Sequence, residues 1–198
     1  MKKFVLISFS TLFIAAANLF AETYKIDPMH SDITFKIRHL MISKVSGRFD
    51  QFSGEFNYDG KEPKNWNAQA TIQAASINTG IADRDKHLRT TDFFDAEKFP
   101  TLEFKSVKVS DYDVKNGKAK LTGLLTLHGA SKEVTLDLDL GGTIKDPQGN
   151  MRAGFEATGK INRKDFGINY NKVLDTGGLA LGEEVEIAIH VEGIIPKK

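Results

Sequence analysis

The sequence predicts an all-β fold: an antiparallel sheet of about eight strands, closed into a barrel, with one short helical insertion. Three observations carry this. Apolar and polar residues alternate with period two along most of the chain, turn residues punctuate the apolar runs, and one charged segment breaks the alternation. Alternation that leaves one face dry and one wet is the antiparallel pattern. A sheet this large closes to remove its free edges.

The first run lies around Tyr24. In the second, Ile33, Phe35 and Ile37 share one face, and Thr34, Lys36 and Arg38 the other. Runs around Phe56 and Ile72 follow. From Ala82 to Arg89 the segment is helix-compatible: Asp83 and Asp85 suit the first turn, and Lys86, His87 and Arg89 the last. Thr90-Thr91-Asp92 offers a new cap before Phe93-Phe94, and Phe99-Pro100 closes the insertion. Asn116-Gly117 punctuates the runs around Phe104 and Leu125. His128-Gly129 leads into Val134, Leu136, Leu138 and Leu140, which alternate with Thr135, Asp137 and Asp139. Pro147-Gln148-Gly149-Asn150 precedes the run around Phe155. Asn162 to Leu181 is irregular. The last run sets Val185, Ile187, Ile189 and Val191 against Glu184, Glu186, Ala188, His190 and Glu192. Gly54, Gly123, Gly154 and Gly159 fall inside strand-like runs, where glycine marks a bulge, a bend or a close approach. Gly47 also reads as an ordinary loop glycine.

The N-terminus has the three parts of a secretory signal: Lys2-Lys3, an apolar run from Phe4 to Phe20, and the small residue Ala21. Ser8, Ser10, Thr11 and Asn18 interrupt the run, which disfavours a membrane span. Cleavage is expected after Ala21, with Ala17 the alternative. That leaves a signal peptide over 1–21 and one barrel domain over 22–198, exported to the periplasm. Without Lys2 and Lys3 the 27 basic residues fall to 25 against 26 acidic ones, a net charge of −1. No polybasic block remains, so nucleic acid is not an expected partner. The chain has no cysteine, hence no disulfide framework and no lipid-modified cysteine, and no stable membrane anchor is expected.

The order and spacing of several short motifs resemble the YceI-like family of exported bacterial proteins. They are Tyr24-Lys25-Ile26-Asp27, His39-Leu40, Gly47-Arg48-Phe49, Arg84-Asp85-Lys86-His87-Leu88-Arg89, Asp92-Phe93-Phe94 and Phe99-Pro100 with Phe104. Further along come Leu125-Thr126-Leu127-His128-Gly129 with Lys132, Val134, Thr135 and Leu136, then Arg152 to Ala157, Gly159-Lys160-Ile161 and Lys164-Asp165-Phe166. The resemblance spans almost the whole exported length. It implies an eight-stranded lipocalin-like barrel around a long apolar ligand, a polyisoprenoid or fatty-acyl lipid. It implies no catalytic residues, and it makes a homodimer plausible.

A barrel of this size is filled by its own side chains or holds one small ligand. For the ligand reading, Phe35, Ile37, Phe49, Phe56, Ile72 and Phe104 are expected to line the lumen from the first half. Leu125, Leu127, Leu136, Leu138, Phe155, Ile187 and Ile189 line it from the second. Of 14 phenylalanines, four lie in the signal and ten remain. Their rings supply apolar area without a polar group needing a partner. The helix admits three readings. Arg84, His87 and Arg89 could hold a head group, act as a lid or tie the insertion to the barrel. Asp85 could orient His87 as a general base in a lipid-modifying enzyme. The segment could also be a solvated helix with local ion pairs. Five histidines show no H-x-x-x-H spacing, so no metal is expected. No P-loop, dinucleotide or G-x-S-x-G motif occurs, and no cofactor beyond a bound lipid is implied.

Overall fold

The structure, a computed structural model, describes residues 22–174 and 178–197. The expected signal peptide, 1–21, lies outside the described residues. Eleven strand segments are present among those described: β1 (Glu22–Ile26), β2 (Asp32–His39), β3 (Ser43–Phe49), β4 (Phe52–Tyr58), β5 (Asn67–Gln73), β6 (Ile77–Asn78), β7 (Thr101–Asp113), β8 (Lys118–Leu127), β9 (Ala130–Lys145), β10 (Met151–Asn162) and β11 (Leu181–Ile195). One α-helix, α1, spans Ala82–Leu88.

The eleven segments make a closed antiparallel barrel of eight strands. β1 and β2 both pair with β11, through Ile26↔Gly193 and Ile33↔Ile189, so they are one long strand broken at 27–31. β3 and β4 likewise form one strand that pairs back on β2 and β1. β5 and β6 form another, joined through the 3-10 turn Ala74–Ser76, and pair with β4 and β3. The other five strands follow as a meander, and β11 closes on β1 and β2. The runs around Tyr24 and Phe35 are therefore parts of a single strand. The break between them is made by Asp27, whose Oδ1 accepts the Met29 backbone N–H (3.0 Å). A side chain that bonds its own backbone two residues on competes with the ladder.

Hairpins fall where the turn residues put them. His128 and Gly129 take positive φ of 52° and 76°, the double left-handed turn that a two-residue hairpin needs. At 146–150 the Asp146 carboxylate accepts the Asn150 backbone N–H (2.8 Å), the Asn150 side-chain amide (2.9 Å) and Arg152 Nε (2.9 Å). Arg152 also bonds Asp27 (3.0 Å) and Glu192, which ties this turn to the β1–β2 break and to β11.

The strand glycines are close-approach sites. A methyl on Gly123 would lie 2.4 Å from the Phe104 ring and 2.7 Å from the Lys105 carbonyl. Gly47 sits mid-strand in β3, directly opposite Phe35, and its methyl would meet that ring at 2.4 Å. The loop reading of Gly47 is thus corrected: a lumen ring lies flat across the neighbouring strand, and only glycine leaves room.

One end of the barrel carries the 40–42 hairpin, the 79–100 insertion, the His128-Gly129 turn and residues 163–174. At the other end Tyr24 stacks on Phe56 (5.2 Å), Phe155 meets Phe56 edge-on (5.1 Å), and Trp66 packs between Tyr58 and Tyr112. Trp66 Nε1 donates to Asp59 (2.6 Å).

Two predictions follow from this packing. Gly123→Ala should cost about 1–3 kcal/mol, the usual scale of overpacking, measured as a shift of the urea midpoint at unchanged slope. The second concerns Asp146. The Asn150 amide, helped by Arg152 and opposed by burial, lowers its carboxyl from 3.8 to about 2. A depressed folded value means stability present above about pH 4 and lost as the pH falls toward 2. Asp146→Asn should flatten the acid limb of a stability–pH profile in that window and lower stability at neutral pH.

Candidate functional site

The lumen is filled at one end and hollow at the other. Ala119, Leu121, Leu136, Leu138 and Ala157 close the filled half with the Tyr24–Phe56–Phe155 stack. Toward the insertion end lies a cavity of about 440 Å³, within the range of small-molecule sites. Its walls are apolar side chains from every strand of the barrel. Several inward residues, Phe35, Ile37, Val185, Ile187 and Ile189 among them, are only half-buried although they point into the barrel. Packed interiors leave few voids larger than a water molecule, so this partial burial marks a space left open.

Among the expected lining residues, Phe35, Ile37, Phe49, Phe56, Ile72 and Phe104 face the cavity. Leu125, Leu127, Leu136, Phe155, Ile187 and Ile189 face it as well. Leu138 does not, and that expectation is corrected. It pairs with Ala119 beyond Leu136, in the packed half, and is 6% exposed. Alternation places Leu138 on the inward face but cannot tell where along the strand the lumen stops being hollow.

The insertion forms the cover. Leu88, Phe93 and Phe94 line the cavity from above, and Phe94 meets Phe49 edge-on (5.7 Å). His87 lies edge-on to Phe93 and to Tyr170, each at 5.1 Å. The cover is bolted to the barrel by two arginines. Arg84 donates from Nε to Thr79 Oγ1 (2.7 Å) and from Nη2 to the Thr79 carbonyl (2.8 Å). Arg89 donates to the carbonyls of Ala75 (2.7 Å) and Ile77 (3.0 Å). Arg84 and His87 face the cavity; Arg89 does not, and of the readings offered for it the head-group and lid roles give way to the tie, made onto the β5–β6 backbone. At the rim, Met41 (57%) and Ile42 (84%) are exposed at the tip of the β2–β3 hairpin.

The dyad Asp85–His87 is also corrected. Buried Asp85 accepts the Thr79 backbone N–H (2.9 Å) and hydroxyl (2.5 Å), which fixes the loop before the helix. His87 Nε2 instead meets Asp92 (2.7 Å). Residues two apart on a helix do not face one another. Among the described residues, no Ser, Thr or Tyr hydroxyl bonds the His87 ring, as an activated nucleophile would require.

Asp27, His30 and Glu192 form the one grouping among the described residues with metal-ligand chemistry. Arg152 already donates to Asp27 and Glu192 there, so the carboxylates have a resident cation.

Sequence reasoning missed Arg163. It is 4% exposed and faces the cavity. A signal existed: Phe155, Ala157, Gly159 and Ile161 alternate inward along β10, and two residues further is Arg163. Ile168 and Tyr170, also lining, lie in the stretch read only as irregular.

Comparison with known proteins agrees with this architecture. The family described as the YceI-like domain matches residues 24–193. Protein YceI of Escherichia coli O157:H7 is 41% identical across the full length of both chains. The crystal structure of the Campylobacter jejuni YCEI protein is 31% identical, covers 96% of this chain and 100% of its own, and superposes with a TM-score of 0.70. A polyisoprenoid binding domain from Saccharophagus degradans shares the fold at TM-score 0.63 and 18% identity, covering 87% of this chain and 98% of its own.

Leu136, 5% exposed, sits where the packed half meets the cavity. Leu136→Arg places an unpaired charge there and should cost on the order of 3–5 kcal/mol in urea unfolding. Parent-like stability would mean the inward face of β9 is assigned wrongly.

Proposed function

The chain belongs to the YceI-like family, and from that premise we propose that it is a binding protein rather than an enzyme. It sequesters one long-chain amphiphilic lipid, a polyisoprenoid, isoprenoid quinone or fatty-acyl derivative, in the half-hollow barrel. The observation that carries the reading is the apolar cavity lined by all eight strands and roofed by Phe93 and Phe94. The polyisoprenoid binding domain of the same fold supports it.

The physical logic is transfer free energy. Each methylene moved out of water contributes about 0.8 kcal/mol, so an apolar tail needs few hydrogen bonds to bind tightly. The phenylalanine walls add contact area without unsatisfied polar atoms. In this reading the N-terminal segment directs the chain to the periplasm. There, a barrel that shields the tail carries or stores a lipid across an aqueous space. Catalysis finds no support at His87, whose ring is held by Asp92 and two aromatic edges.

Native mass spectrometry on the protein from its own periplasm, followed by solvent extraction, tests the proposal. A stoichiometric long-chain adduct is expected. A clean unliganded mass, with no uptake from added lipid, would refute it. Ala70 lines the cavity and is only half-buried. Ala70→Trp should therefore fill the space and reduce the adduct at least tenfold while the far-ultraviolet circular dichroism stays that of the parent.

A further inference from the structure

The β2–β3 hairpin ends in a costly turn. The Ile42 backbone N–H donates to the His39 carbonyl (3.2 Å), and the two residues between, Leu40 and Met41, take φ of 49° and 62°. Such a turn favours Asn-Gly, because a bulky side chain is strained in the left-handed region. The His128-Gly129 turn meets the same demand with a glycine. Here two large apolar residues occupy it and gain no core packing in return. Leu40, Met41 and Ile42 are all exposed, Ile42 at 84%. Strained backbone of this kind collects at binding and switch segments.

The charge around the tip has one sign. From Ile33 to Phe49 the hairpin carries Lys36, Arg38, Lys44 and Arg48 and no acidic residue. Lys44 meets Glu186 (2.6 Å) and Arg48 meets Asp50 (2.6 Å). Lys36 and Arg38 are exposed and form no ion pair among the described residues. Arg38 Nη1 donates to the Met41 carbonyl (3.2 Å), so its charge stands at the tip itself. The Leu40 N–H donates to the Ala180 carbonyl (2.8 Å), and the Ala180 N–H to the Lys172 carbonyl (2.9 Å). This sets another exposed base beside the tip, followed by exposed Val173 (76%). The cavity reaches the surface here: His39, Val45, Lys172 and Ala180 line it.

An apolar tip flanked by bases matches the surface of an anionic bilayer. Apolar side chains enter beneath the head groups, while Lys and Arg keep their charges at the phosphates. A second copy of the chain fits worse, since a two-fold contact through this tip would set its bases against the same bases. We propose that residues 40–42 dock the barrel on a bilayer containing anionic phospholipid, with the cavity mouth turned toward the membrane. This rests on the lipid-binding reading above for its purpose, and adds the surface at which the lipid is exchanged.

Flotation of the protein recovered from the periplasm tests this, with vesicles of phosphatidylcholine and phosphatidylglycerol against phosphatidylcholine alone. The parent should float with the anionic vesicles and more weakly with the neutral ones. The double variant Met41→Gly with Ile42→Ser should lose about tenfold in vesicle affinity. Its urea midpoint should stay at or above that of the parent, because glycine relieves the left-handed position. The chain's one tryptophan, Trp66, is buried at the other end of the barrel. In Ile42→Trp a second emission should therefore report the tip, moving to the blue on anionic vesicles and quenched by brominated acyl chains. Failure of the parent to bind anionic vesicles, parent-like binding by the double variant, or an unmoved emission in Ile42→Trp overturns the docking proposal. So does a parent dimer that the double variant turns into a monomer in sedimentation, which would make the tip a contact between copies. A stoichiometric lipid adduct in the native mass without vesicle binding overturns docking alone. Vesicle binding through the tip without any adduct or lipid uptake supports docking and overturns the lipid-binding reading.

Discussion

The structure depends on one seam, the pairing of β11 with β1 and β2 together. β11 pairs with β2 between Leu181 and His190 and with β1 at Gly193 and Ile194, and so joins the last strand to the first along most of its length. Without that seam the sheet would be open, with two unpaired edges and an apolar face exposed to water. With it, the inward positions of eight strands converge on one axis. A closed ring of eight strands encloses just enough space for side chains or a small ligand. Whether that space is packed or empty is then a local matter of side-chain size.

This barrel does both. Toward one end, Phe56 and Phe155 meet edge-on inside the barrel and leucines and alanines fill what remains. Along the hollow part of the wall, rings lie close over glycines of the neighbouring strand. Gly47 under Phe35 and Gly123 under Phe104 make that possible, since any side chain there would push the ring into the lumen. The insertion then supplies a roof, and its arginines spend their donors on backbone carbonyls and Thr79. The result is a space lined by apolar carbon, with one buried guanidinium that has a donor left over.

Much of this was legible beforehand. Period-two alternation separated the two faces of each strand, and the segment Ala82–Arg89 announced the helix that runs Ala82–Leu88. The misreadings have physical causes. Tyr24 and Phe35 read as separate strands because Asp27 and its turn interrupt the apolar pattern, yet one neighbour, β11, pairs with both sides of the break. Leu138 obeys the same alternation as Leu136, but depth along the barrel axis is invisible to a pattern of period two. Asp85 and His87 look like a dyad on paper, while a helix rotates residues two apart away from each other.

The sequence by itself determined the strand faces, the turns and the insertion, because these follow from neighbours two to four residues away. Only the tertiary structure decided which inward residues border empty space, which arginine faces it, and which of its donors is left unpaired. Those outcomes depend on groups far apart in the chain. Arg163 is held by Gly182 and Ile168 and looks across at residues from the other end of the sequence. Cavity volume and unmet hydrogen bonds are sums over all such neighbours, and they come into being only when the sheet closes.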